Sequence, residues 1–188
     1  MQPLRLSLII NTSERPAALD LVLQGVQRQT RTADEIWIAD DGSGESTRAL
    51  IQSWQGRLGG NLGHVWHEKK GFRRSVILNK TLARTTGDYI VFLDGDCVPH
   101  RRFIADHARL AEPGYWVQGR RCFVKEQWVE RFRPGRTPVW IWIAAGRISG
   151  GAKAVRYPRA AVRRDTRLEG ILGCNLGFWR QDLIRAIA

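Results

Sequence analysis

Asp94 and Asp96 stand one residue apart, separated by Gly95, at the end of an apolar run over residues 89–93. Two carboxylates held so close repel each other unless a positive charge lies between them. A divalent cation meets that need, and oxygen-rich sites with open positions suit Mn2+ or Mg2+ holding a substrate diphosphate. Gly95 lets the backbone approach such a ligand closely. Taken alone, the same three residues also read as a solvated turn, because Asp-Gly pairs are common turn chemistry. The elements that deliver them separate the two readings.

Residues 4–10 (LRLSLII) have the composition of a buried strand. Asn11, Thr12 and Ser13 break it, and Pro16 suits the first turn of a helix whose Leu19, Val22, Leu23 and Val26 recur at helical spacing. Residues 35–39 (EIWIA) predict a second strand, closed by the turn residues of DDGSGES, and residues 46–54 a helix. A short strand over 63–67, a helix over 72–84 and a third firm strand over 88–93 follow. This alternation predicts an α/β domain with a mainly parallel central sheet flanked by helices on both faces. Such sheets bind ligands at the carboxyl ends of their strands. Polar loops at 11–15, 40–44 and 94–96 fall at those ends, which favours the metal reading of Asp94 and Asp96 over the turn.

Beyond residue 100 the pattern predicts a strand over 115–124 and helical pieces over 128–148 broken at Pro134 and Pro138. A mobile basic loop over 149–169, strand-like composition over 171–179 and a helix opening at Arg180 complete it. The chain is read as one domain over 1–188, with a ligand-binding half at 1–110 and a partial second half at 111–188.

The net charge of +12 is concentrated. Residues 119–167 hold thirteen Lys or Arg against three acids, and the rest of the chain is nearly balanced. Trp128, Trp140 and Trp142 lie within that segment and Trp116 just before it. Cations mixed with tryptophan fit an anionic headgroup interface; a packed aromatic core with solvated cations fits the same composition. The longest apolar run, residues 139–145, is far below the ~20 residues that span a bilayer. No signal peptide is expected from the N-terminal residues. Cys97, Cys122 and Cys174 show no CxxC or Cys/His spacing, so neither a disulfide framework nor a structural zinc site is expected, and a reducing cytosol fits.

The segments LSLIINTSERP, LVLQGVQRQT, EIWIADDGSGEST and GDYIVFLDGDCVPH, in that order, resemble the nucleotide-sugar-binding half of a family 2 glycosyltransferase with the GT-A fold, over about residues 4–110. Residues 169–183 (EGILGCNLGFWRQDL) resemble the acceptor-side segment of the same family, which assigns Gly173 and Asn175 to the acceptor side. The most similar variants are bacterial enzymes that build lipopolysaccharide, capsule or related glycans. The resemblance implies that Thr12, Glu14 and Arg15 line the nucleobase and ribose pocket and that Asp41, with Asp40, accepts hydrogen bonds from uracil or another base. Arg73 or Lys70 would meet the diphosphate. Asn79 occupies the place of an Arg-Asn pair, here with Leu78 before it. Asp94 and Gly95 would touch the donor, and Asp94 and Asp96 would hold Mn2+ or Mg2+.

The implied activity is inverting, metal-dependent transfer of a hexose, expected from a UDP-sugar, to a glycan or lipid-linked acceptor. The expected place is the cytoplasm, peripheral to the inner face of the membrane through residues 119–167. The general base is not identifiable. In the family it follows the segment matching residues 175–179, where this sequence offers only Asp182, an acid placed to serve a helix dipole. The resemblance thus implies a C-terminally truncated chain, and a donor-binding fragment without turnover is the alternative. A nucleic-acid-binding module shares the basic composition but lacks a reader motif, so no nucleic acid is expected as partner. A nucleotidyltransferase would want a Gly-rich phosphate loop where NTSERP stands.

Overall fold

The computed structural model describes residues 4–58, 61–154 and 171–187. Its centre is a six-stranded sheet. Strands β1 (Leu6–Thr12), β2 (Glu35–Asp40), β3 (Asn61–Trp66) and β4 (Tyr89–Asp94) run parallel. Strand β8 (Asn175–Trp179) lies antiparallel to β4, and the two-residue β5 (Val117–Gln118) pairs with its far side. The spatial order is β3-β2-β1-β4-β8-β5.

Alternation along β1 builds both faces of the core. Leu6, Leu8 and Ile10 pack with Leu19, Val22 and Leu23 of α1 (Pro16–Gln27), Ile51 of α2 (Glu45–Ser53), and Phe103 and Ile104 of α4 (Phe103–Leu110). Ile9 faces the other way, onto Ile77 and Leu82 of α3 (Arg74–Leu82). Pro16 sits in the first turn of α1, where its missing N–H costs nothing.

The chain steps from β1 outward through β2 to β3, then returns to place β4 on the opposite side of β1. The switch in direction therefore falls between β1 and β4, where crevices form in doubly wound sheets. Register sets Asn11 beside Asp94 and Thr12 beside Asp40. The three polar loops meet at this edge.

Every strand and helix expected before residue 100 is present, with shifts of one or two residues at most ends. Helix α4 was not expected. Its buried face uses His107, so the apolar repeat has a polar residue at a core position. The single strand expected over 115–124 is two short strands in different sheets. Gly119 passes against Asn175, donating to its carbonyl at 3.0 Å, and the chain then leaves to pair β6 (Phe123–Val124) with β7 (Ile148–Ser149). The broken helical region contains α5 (Glu126–Val129) and α6 (Val139–Ala144). Strand-like composition from residue 171 resolves to β8 alone, followed by α7 (Arg180–Ile187). Of the basic loop expected over 149–169, residues 155–169 lie outside the described residues.

Candidate active site

A cleft of about 290 Å³ opens at the β1/β4 switch, lined by Asn11, Thr12, Ser13, Arg15, Phe72, Arg74, Asp94, Gly95 and Asp96. Its floor is backbone. Gly95 N–H donates to the Asn11 carbonyl at 2.7 Å, and a Cβ on Gly95 would lie 2.7 Å from that oxygen and 3.1 Å from Thr12 Cβ. Only glycine allows the turn after β4 to press against the end of β1.

Asp94 closes β4 with its carboxylate between two arginines. Arg74 Nη2 donates to Oδ1, and Arg121 Nη1 stands 3.5 Å from Oδ2. Burial nevertheless pushes the Asp94 carboxyl above its ordinary value, with Asp96 adding to the rise and Arg74 and Arg121 opposing it. Asp96, more exposed, is met by Arg15 at 3.2 Å. Asn11 Oδ1 and Thr12 Oγ1, also in the cleft lining, are buried without a hydrogen-bond partner. Buried polar atoms rarely remain unmatched. Two carboxylates and two unmatched oxygens form an oxygen-rich donor set, and its chemistry fits a hard divalent cation.

The second loop does a different job. Asp40 Oδ2 accepts from His64 Nε2 at 3.0 Å, and Oδ1 accepts from Ser43 N–H at 2.9 Å. Asp41 Oδ1 accepts from His67 Nε2 at 2.7 Å, and Oδ2 accepts from Arg73 N–H at 3.1 Å. Burial alone would raise both acids, but these hydrogen bonds prevail and hold them below the usual carboxylate range. Lys69 Nζ donates to Ser13 Oγ at 2.6 Å and to the Asp41 carbonyl at 2.9 Å, tying the first loop to the second.

Of the residues singled out in the sequence, the fold brings Thr12, Arg15, Asp94, Gly95 and Asp96 into the cleft. Gly173 borders it through its carbonyl, which accepts from Arg74 at 3.1 Å. Asp40 and Asp41 do not line it, because each carboxylate is buried against its own histidine. Glu14 has a left-handed φ of 53° and donates its N–H to Ser43 Oγ, with its side chain exposed outside the cleft. Arg73 turns its guanidinium to the Glu68 carbonyl, Lys70 pairs with Glu68, and Asn79 is exposed on α3 away from the lining. Asn175 Oδ1 accepts from His107 Nε2 at 2.8 Å, so its side chain serves the packing of α4 on β8. Asp182 accepts from Gly114 N–H at 2.9 Å.

Sequence reading missed Arg74, Arg121 and Phe72. Arg74 adjoins Arg73, and the available signal was a pair of arginines at a helix start; which one faces the ligand edge depends on where α3 begins. Arg121 reaches Asp94 only because the chain turns after Gly119, a feature without a local signature. Phe72, 85% exposed, stands at the rim of the cleft.

The family model described as "Glycosyl transferase family 2" matches residues 7–183. Hyaluronan synthase of Pasteurella multocida is 31% identical over 112 residues, 59% of this chain and 11% of that protein. Validoxylamine A glucosyltransferase of Streptomyces hygroscopicus subsp. jinggangensis is 33% identical over 91 residues, 47% of this chain and 21% of that protein. The chain thus spans about a tenth and about a fifth of the length of these two relatives. Among solved structures, a mannosyltransferase from Pyrobaculum calidifontis, in complex with GDP-Man and Mn2+, superposes with a TM-score of 0.56 at 22% identity, covering 64% of this chain and 36% of that one. Glucosyl-3-phosphoglycerate synthase from Mycobacterium tuberculosis, in complex with Mn2+, UDP and phosphoglyceric acid, covers 95% of this chain and 56% of its own with a TM-score of 0.55 at 17% identity. With its mostly parallel sheet, its switch-point cleft and a family match over nearly its whole length, the chain has the GT-A fold and belongs to glycosyl transferase family 2.

Proposed function

We propose that the β1/β4 cleft binds a nucleotide-diphosphate sugar, a UDP-sugar first among the candidates, and presents it for inverting transfer to a glycan or lipid-linked acceptor. The observation that carries this reading is that Asp94 and Asp96 line one cleft at the switch point with Asn11 and Thr12, whose side-chain oxygens are buried and unmatched. Asp94 and Asp96 would hold Mn2+ or Mg2+. The ion, when bound, supplies positive charge to the leaving nucleoside diphosphate. Mn2+ accompanies GDP-Man in the Pyrobaculum calidifontis mannosyltransferase and UDP in the Mycobacterium tuberculosis synthase, which supports the choice of ligand class.

The chain's own residues divide the remaining work. Arg15 and Arg74 line the same cleft and offer charge-assisted donors to the diphosphate. Phe72 presents a ring at the rim for the base or the sugar. The loop of Asp40 and Asp41 positions rather than contacts: Asp41 holds the start of α3, and with it Arg74, through Arg73 N–H. The 1–110 half is thus the donor side. Gly173 and Asn175, beside β4, open the acceptor side in the 111–188 half.

Asp94 and Asp96 are the acids that line the cleft among the described residues, and this reading assigns both to the cation. Donor binding is therefore the part of the reaction these residues support by themselves, and a chain that binds donor without turning it over is the second reading. Titration with UDP-sugars, with and without Mn2+, tests the first part. Metal-dependent binding that disappears in Asp96→Ala is the expected result; metal-independent binding, or none to any nucleoside diphosphate sugar, overturns it.

The basic segment is proposed as the contact with an anionic membrane surface at the cytoplasmic face. Trp140 and Ile141 on α6 are 61% and 64% exposed, next in the chain to Arg133, Arg136 and Arg147. Trp128 and Trp142, by contrast, pack edge-to-face, with the Arg147 guanidinium 4.0 Å from the Trp128 ring centre. Among the described residues no helix is long and apolar enough to cross a membrane.

A further inference from the structure

Cys97 and Cys174 are far apart in the chain, and the sheet brings them together. Cys97 follows Asp96 on the loop after β4, and Cys174 precedes β8, its carbonyl accepting from Asp94 N–H at 3.3 Å. An Asp94 carboxylate oxygen, Cys97 Sγ and Cys174 Sγ all lie within 4.8 Å of one another. Cys174 is 2% exposed, and Cys97 and Asp94 are half-buried. Neither thiol has a part in the donor reading above.

Around a tetrahedral zinc, bonds of about 2.3 Å to sulfur and about 2.0–2.2 Å to oxygen put neighbouring donors roughly 3.5–3.8 Å apart. The three donor atoms, all within 4.8 Å of one another, therefore lie at most about an ångström beyond that spacing. A thiol pair selects soft or borderline cations over Mg2+ and Mn2+. On binding, each thiol exchanges its proton for a metal–sulfur bond and the two protons leave to solvent. Two thiolates and a carboxylate then place three negative charges around a dication. The remaining negative charge faces Arg121, 3.5 Å from Asp94 Oδ2, and Arg74, which donates to Asp94 Oδ1.

We propose that Asp94, Cys97 and Cys174 form a binding site for a thiophilic divalent cation of the zinc class, with a fourth position open to water. It goes beyond the donor-site reading, shares Asp94 with it, and adjoins it where Cys97 Sγ donates to Asp96 Oδ1 at 3.5 Å. If Asp94 also serves the donor-site cation, occupancy by a zinc-class ion withdraws it from that role.

The test uses the full chain, thiol-reduced and free of nucleotide, titrated with Cd2+ while the thiolate-to-cadmium charge-transfer absorbance is followed. The absorbance should saturate at a single equivalent. Cys97→Ser and Cys174→Ser should each abolish it, and Cys122→Ser should leave it intact. Loss of a merely supporting residue typically costs about 10–100-fold in metal affinity, so Asp94→Asn should weaken binding by at least about tenfold. Cys174 is buried and its variant can fail to fold, so the unmodified chain is also treated with a maleimide. Cd2+ should protect Cys97 and not Cys122. No absorbance change, a full change in Cys97→Ser, or no protection of Cys97 overturns the proposal. With no nucleotide in the assay, its failure is distinct from a failure of Mn2+-dependent sugar-nucleotide binding.

Discussion

Asp94 is under opposing influences. Burial and Asp96 favour its neutral form, while Arg74 and Arg121 favour the charged one. Replacing Arg74 with methionine keeps much of the side-chain volume and removes a charge-assisted partner from a half-buried acid. We expect Arg74→Met to lower stability at neutral pH by about 1–3 kcal/mol, read from urea midpoints. The difference should shrink as pH falls through the raised pKa of Asp94, because a neutral acid needs no counter-charge. The two carboxylates proposed to hold the cation were legible from their types and spacing at a strand end. Arg74 and Arg121 were not, since a long side chain can lie on either side of a loop until backbone direction is known.

At the scale of elements, β1 and β4 depend on a missing side chain. Gly95→Ala would drive Cβ into the Asn11 carbonyl, so the strand ends must part. A cost of about 1–3 kcal/mol is expected, seen as a lower Tm, together with weaker sugar-nucleotide binding. Helix α4 and β8 are linked through His107, which burial holds neutral, its pKa pushed down to about 4 despite the bond to Asn175. A group with a depressed folded pKa favours the unfolded chain as pH falls below its ordinary value of 6.5, and that loss is complete near pH 4. His107→Gln can still donate to Asn175 and should flatten Tm over that window. A second loss should remain at lower pH. Hydrogen bonds hold Asp40 and Asp41 below the ordinary carboxylate range, so their contribution is present above that range and disappears as they protonate. The alternating strands and helices before residue 100 were legible because each buries a periodic apolar face. The α4 helix was hidden by His107 at a core position, and the break between β5 and β6 by a crossing over Asn175 that depends on residues far along the chain.

For the whole molecule, charge is unevenly distributed, and the membrane proposal depends on that asymmetry. Sedimentation with anionic liposomes should be strong at low salt and weaken as the Debye length falls from about 10 Å at 0.1 M to about 3 Å at 1 M. Duplex DNA should compete poorly, and no sedimentation at low salt removes the membrane reading. Trp140→Ala should reduce the salt-resistant part of the binding and leave the salt-dependent part. The β8 strand has a further consequence, for biosynthesis. β4 pairs with β1, which precedes it by about eighty residues, and with β8, which follows at a similar distance. As the chain leaves the ribosome, the strand that ends at Asp94 and leads to Asp96 therefore waits with an open apolar edge until residues 175–179 emerge. A pause in translation between those points would expose a template for intermolecular strand pairing.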